Sequence, residues 1–441
     1  MSRYRNNAAA IRALVEPDRV HRDVYTDEEL FDIEREQFFG NTWNFVGHAS
    51  QLPQAGDFLS LDLAGRPLLL LRQANGAIGG FYNRCAHKGA QLVSDSCGNT
   101  GKFLRCPYHA WTYKLDGAPL AMPLKAGYEN TRLHQCESGR GLTPLKHLQV
   151  YRDFIFVKLN DAGPDFESYF GEALRSIDHM VDRSPTGKLR VEGGILRNVM
   201  HCNWKMYLEN INDTVHPVST HESAAQAAQS VWQGHGPDEP KPMVMEQLLP
   251  FANGYEFFDK MGARVYPNGH SLLGVNFSIH SAYGTQPEYE AALVAAHGAE
   301  RTREILERSP QNAVFFPSLS VKGSPLAIRV IRPLAVDRTL VEAWSFRAEG
   351  APDVLLDRAL TYNRLVFSPM SVVAHDDIHL FESMQAGLKA QGNPWVSLHR
   401  DHKVDEVLDS GATINGTNEW LMRNQFRAWA DAMVAGMEAP A

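Results

Sequence analysis

The chain has 441 residues, with 51 acidic side chains against 43 Lys and Arg for a net charge of −8, and 44% of its residues are hydrophobic. That length predicts two or three domains with ample core, and the acidic balance leaves no basic footprint for a nucleic-acid partner. No apolar run reaches the ~18 residues of a membrane helix, and MSRYRNNAAAIRALVEP at the start lacks the apolar centre of a signal peptide, so a cytoplasmic protein without membrane partners is expected.

Residues 1–42 read as a helical segment packing on the larger domain. Thr26-Asp-Glu-Glu29 offers a capping box there, ahead of Leu30, Ile33, Phe38 and Phe39. Over 43–160 the pattern changes to short strands separated by Gly, Pro and Asn turns, among them Asp57–Arg66, Pro67–Arg72, Phe103–Arg105 and Tyr151–Val157. Asn160–Pro164 reads as a linker. Over 161–441, helices are expected near 165–183, 203–215, 287–308 and 376–390, with strands at Ser271–Ile279 and Leu326–Ile331. The fold class is therefore α+β: an all-β domain followed by a larger α+β domain, an antiparallel sheet flanked by helices.

Within the all-β stretch, Cys85-Ala-His87 is followed, with eighteen residues between, by Cys106-Pro-Tyr-His109. Zinc fingers pair Cys with Cys and His with His. Here each pair is mixed, which favours a Rieske [2Fe-2S] centre, one iron taking both sulfurs and the other both nitrogens. Cys97, Cys136 and Cys202 are left over and are expected to be buried free thiols, as suits a reducing compartment.

A second cluster lies in Asn203–His221. Trp204, Tyr207, Leu208 and Ile211 recur as the buried stripe of an amphipathic helix. Asp213 and His216, three apart, share a helical face. His216 and His221 are five apart and converge only if the helix ends or distorts between them, for which Pro217 is the candidate device. Two His and a carboxylate make the facial triad of non-haem Fe(II) oxygenases.

C-A-H-K-G-A, C-P-Y-H-A-W and the D-x2-H-x4-H of Asp213, His216 and His221 resemble the large (alpha) subunits of Rieske aromatic-ring-hydroxylating oxygenases, and the closing segment Gly416–Met433 is similar to theirs. The chain departs from respiratory Rieske proteins at Ala90 and Tyr108, where those carry a disulfide, and from many oxygenases at Lys88, usually Arg, and Val215, often aromatic. The spacing from Glu209 to Asp213 is like the terephthalate and salicylate group. The resemblance implies that Cys85, His87, Cys106 and His109 hold the cluster and that His216 and His221 bind iron. Asp213 would bridge electrons from His109 of a neighbouring subunit to His216. The third iron ligand comes from a later helix. Asp377 shares a face with Phe381, Met384 and Leu388 and is preferred over Asp376, while His375 and His379 are read as surface or supporting residues.

The resemblance further implies a homotrimer that takes NAD(P)H electrons through a separate reductase, with a ferredoxin and a small beta subunit (α3β3) as compatible additions. It implies O2 activation at Fe(II) and hydroxylation or cis-dihydroxylation of a small aromatic substrate. Arg329, on a strand with Arg332, is a candidate for holding a substrate carboxylate bidentately, against the alternative of an exposed or salt-bridged strand arginine. A Rieske O- or N-demethylase is the alternative activity.

Overall fold

In the computed structural model the chain forms two compact units, Phe39–Asp161 and Met1–Phe38 with Ala162–Ala441. The structure describes residues 2–134, 140–236, 239–281, 283–368, 370–404, 411–435 and 437. Cys136 lies outside them.

The smaller unit is built from three antiparallel sheets, as its period-2 runs require. One has the order Ile78–Tyr82, Arg66–Arg72, Asp57–Leu63, Cys97–Asn99; a second Pro119–Ala121, Thr112–Lys114, Phe103–Arg105; the third His147–Tyr151, Phe154–Lys158, Asn44–His48. Phe58, Leu69, Leu71, Phe81, Leu104 and Trp111 form a core that includes Cys85 and Cys106. Cys97, expected inside, is exposed on its edge strand, and Cys202 is buried.

The larger unit is organised on an eight-stranded antiparallel sheet. Its order is Leu189–Met200, Arg338–Ala348, Ala327–Ala335, Leu319–Lys322, Asn312–Phe315, Ser271–Leu273, Ala263–Val265, Thr413–Ile414. Helices Trp204–Ile211, Asp353–Val366, Ala374–Gly387 and Trp420–Val434 accompany it. Among the described residues no helix is long and apolar enough to cross a membrane.

Three expectations fail locally. The strand at Ser271 stops at Leu273 because Gly274 takes φ 82° in a turn so tight that a Cβ would stand 2.6 Å from Gln311 N. The N-terminal segment is not all helix: Val15–Glu16 and Arg19–His21 form a hairpin extended by Trp395–Ser397. Its helix Glu28–Ile33 is capped by Asp27, which accepts from Leu30 N at 3.0 Å, rather than by Thr26. Glu29 instead accepts from the backbone N–H groups of Arg3, Tyr4 and Arg5.

Candidate metal centres

Two tight loops carry the Cys/His pairs. Gly89 N bonds to Cys85 O at 3.0 Å and Ala110 N to Cys106 O at 3.1 Å. Both loops use a left-handed residue to turn, Gly89 at φ 78° and Ala110 at φ 57°. The thiols face inward, with Cys85 2% and Cys106 3% exposed, whereas His109 and Tyr108 are exposed. The His87 and His109 rings lie 4.7 Å apart, and His87 stacks on Trp111 at 4.8 Å. His87 Nδ1 is buried without a partner, and burial, with the charge of His109, lowers its pKa. A buried, neutral, unpartnered imidazole nitrogen beside two buried thiols fits a [2Fe-2S] centre. The Tyr113 hydroxyl stands 3.1 Å from Cys85 Sγ and accepts from Ala86 N at 3.1 Å, a contact that sequence reasoning missed.

In the larger unit the helix Trp204–Ile211 ends before the first imidazole rather than after it. Asn212 is its C-cap, and Asp213 sits in the break. Asp213 Oδ1 accepts from Val215 N at 3.1 Å and Oδ2 from His216 N at 2.9 Å. The side chain thus competes with the helix for backbone donors, as short carboxylates do. Pro217 follows in the first turn of the next helix, His216–Thr220, where a missing N–H costs nothing. Asp213 and His216 are therefore not on one helical face: Asp213 is the pivot on which the chain turns His216 inward. His221 caps that helix and opens Glu222–Trp232.

This turn brings His216, His221 and Asp377 together, with one ligand atom of each lying within 4.8 Å of the others. Asp377 Oδ1 is 3.7 Å from His216 Nε2 and 3.4 Å from His221 Nε2. Among the described residues it is the only group of three or more His, Cys, Asp or Glu so gathered. Asp376 Oδ2 instead approaches the other nitrogen of His221, Nδ1, at 3.4 Å. His375 and His379 are exposed. Phe381 is buried beside the site, but Met384, expected on the same inward stripe, is 44% exposed. Two imidazoles and one carboxylate, a set that leaves positions open, suit non-haem iron(II).

The surroundings tune the set. His216 Nδ1 meets Asp213 Oδ2 at 2.9 Å. Burial opposes the Asp213 charge, but the hydrogen bond and charge of His216 and the two backbone N–H groups offset it and hold the carboxyl below its ordinary range. Burial raises Asp377 and lowers His221. Asn210 Nδ2, a residue the motif did not single out, donates to Asp377 Oδ1 at 3.1 Å and stands 3.1 Å from His216 Nε2. Glu209 next to it is half-buried, and desolvation pushes its carboxyl up to about 8. Asn210, His216, His221 and Asp377 line a cavity of about 760 Å³, part of it open to solvent, whose walls include Phe251, Phe258, Ile279, Val366 and Phe381. Val215 lies outside it, on a second recess shared with Asp213, Glu209, Arg400 and Glu419.

Residues 42–136 match the Rieske [2Fe-2S] domain, and residues 177–436, more than half of the chain, match the ring-hydroxylating alpha subunit catalytic domain. The chain belongs to the ring-hydroxylating oxygenase alpha-subunit family. It is thus an oxidoreductase whose family cofactors are a Rieske cluster and a mononuclear iron. It is 28% identical to the anthranilate 1,2-dioxygenase large subunit of Acinetobacter baylyi over 96% of this chain and 91% of that one. It is 27% identical to the N,N-dimethyl phenylurea N-demethylase subunit alpha of a Sphingobium species, over 84% and 80%. Naphthalene 1,2-dioxygenase from a Rhodococcus species, solved with indole bound, superposes with a TM-score of 0.76 at 25% identity, covering 96% of this chain and 95% of that one.

Proposed function

We infer that this chain is the terminal oxygenase subunit of a multicomponent enzyme that hydroxylates or cis-dihydroxylates a small aromatic compound. The convergence of His216 Nε2, His221 Nε2 and Asp377 on the wall of a largely apolar cavity carries this reading. Iron(II) held by these three would supply dioxygen activation, and a cluster held by Cys85, Cys106, His87 and His109 would supply single electrons. The phenyl walls orient an aromatic ring and exclude water. Asp213 fixes the His216 tautomer, taking Nδ1–H so that the Nε2 lone pair faces the site. Asn210 steadies Asp377.

In this reading electrons enter at the exposed end of the second loop, where Tyr108 is 67% exposed beside His109. A neighbouring subunit's His109 docks into the recess at Asp213, which is lined by Val215, Arg400 and Glu419, within a homotrimer. A separate reductase, with or without a ferredoxin, would be the source of electrons from NAD(P)H. A small beta subunit is a compatible partner, and the reducing cytoplasm suits the exposed Cys97 thiol.

The test is turnover of an aromatic panel with a surrogate reductase under ¹⁸O₂. A cis-diol carrying two labelled oxygens, or a singly labelled phenol, is expected. Formaldehyde release from N- or O-methyl compounds alone would favour the demethylase alternative, which the Sphingobium relative keeps in view.

Two variants report on the supporting contacts. Asp376→Asn should retain iron but weaken its affinity by roughly 10-fold, because it orients His221 through the nitrogen facing away from Asp377; iron titration of the apoprotein measures this. Tyr113→Phe should lower the cluster potential by about 40 mV, the one-electron equivalent of a hydrogen bond worth about 1 kcal/mol. Redox titration followed by visible absorption reads the shift.

A further inference from the structure

The cavity that holds the His216, His221 and Asp377 group also contains two cations without a counter-ion. Arg329 is 1% exposed and Lys322 is 5% exposed, and both line it. They stand on adjacent antiparallel strands, where Ser320 pairs with Arg329 and Lys322 with Ala327. Lys322 and Arg329 are thus diagonal neighbours on one face of the sheet, roughly 7 Å apart. Like charges so placed repel, and neither meets a carboxylate within ion-pair distance among the described residues. Two other arginines of the same sheet are paired: Arg332 and Arg197 share Glu342 at 3.1 and 2.8 Å.

Arg329 is therefore neither the exposed nor the salt-bridged residue that a strand arginine usually is. Its Nη1 donates to Ile328 O at 3.2 Å, and its Nη2 is buried with no partner. Its guanidinium lies 4.4 Å over Phe367 and 5.6 Å from Tyr362, and Lys322 Nζ is also 5.6 Å from the Tyr362 ring. Those faces offset part of the desolvation but supply no countercharge. Burial, and then Arg329, push the Lys322 ammonium well below its usual pKa. An anion between the two would reverse both effects.

We propose that Arg329 and Lys322 form a subsite for the carboxylate of an aromatic acid, the ring lying along the apolar walls toward His216, His221 and Asp377. The grip is one oxygen on Arg329 Nη2 and one on Lys322 Nζ. Nη1 already gives one hydrogen to Ile328 O, whereas Nη2 has no partner and is the nitrogen left to the ligand. Lys322 also donates to Gln311 O at 3.1 Å and to Asn312 Oδ1, which aims its remaining hydrogen. The proposal rests on the oxygenase reading of this cavity and adds the class of substrate to it.

The test is equilibrium binding to the holoprotein by calorimetry, using benzoate and its 2-, 3- and 4-substituted analogues, each against the matching primary amide. The wild type is expected to prefer acid over amide for at least one ring. Arg329→Gln and Lys322→Met should each weaken that acid by about 10-fold or more, as loss of a hydrogen bond to a charged group implies, and leave the amide nearly unchanged. Wild-type protein that binds no acid, or binds acid and amide alike, overturns the proposal whatever the variants do. Equal losses for acid and amide overturn it too. Iron content and dithionite-reducible cluster absorption, measured on the same samples, report separately on the oxygenase reading: their absence from the wild type sinks that reading, and their presence with no acid preference sinks only the subsite.

Discussion

Asp213→Asn is expected to retain both metals and to slow turnover by about 100-fold, the upper end of what an outer partner of a metal-bound histidine contributes. The carboxylate has two jobs. It accepts from Val215 N and His216 N, which turns the chain, and from His216 Nδ1, which sets the imidazole. Asparagine keeps one carbonyl oxygen and so preserves much of the turn. It loses the charge, and its amide cannot accept from Nδ1–H with its nitrogen end. Burial would tolerate the neutral side chain, so folding should survive. What fails is the electrostatic link between His216 and an imidazole arriving at the recess that Asp213 lines. Stopped-flow oxidation of the pre-reduced cluster separates the cases: slow cluster oxidation with normal iron content supports the bridge. Normal oxidation and normal product yield would remove Asp213 from the electron route.

The residues of both candidate centres were legible because their spacing is local. Cys85 with His87, Cys106 with His109, and His216 with His221 each sit on one short segment, so spacing alone limits the geometry. Asp377 was legible for a partly mistaken reason. The inward stripe assigned to it included Met384, which is exposed. What places Asp377 is its position in the first turn of Ala374–Gly387, facing His221 Nε2 while Asp376 faces Nδ1. The break at Asn212–Val215 was illegible because it depends on a side chain outbidding helical backbone acceptors, a balance worth about 1 kcal/mol. Lys322 gave no signal at all. A lysine on an apolar strand reads as an edge or solvent residue, and only the sheet register reveals that it faces Arg329. The short pairing of Arg19–His21 with Trp395–Ser397 joins segments too distant in sequence for any pattern to connect.

Glu34→Ala is expected to cost about 3–5 kcal/mol, because it strands a buried ammonium. Glu34 and Lys205 are each 1% exposed at the side chain and pair at 2.5 Å. Both indoles nearby also donate to this carboxylate, Trp204 Nε1 at 2.9 Å and Trp429 Nε1 at 2.7 Å. Three donors from two helices thus converge on one residue of the N-terminal segment. Burial lowers the Lys205 pKa, and Glu34 and Glu209 counter it, so removing Glu34 leaves the lysine either unpaired or neutral. The pair is nonetheless weak evidence for net stability, since desolvating two charges offsets most of their attraction. The double variant Glu34→Leu with Lys205→Met should therefore recover much of the loss, short of the share owed to the two orphaned indole N–H groups. Denaturation of the holoprotein followed by tryptophan fluorescence measures this, with cluster absorption as an independent probe of the smaller unit, because a two-unit chain need not unfold in one step. Iron should be lost alongside stability in Glu34→Ala, since Lys205 lies on the same short helix as Asn210, which steadies Asp377. A double variant no more stable than Glu34→Ala would show that the indole hydrogen bonds, not the ion pair, hold the N-terminal segment in place.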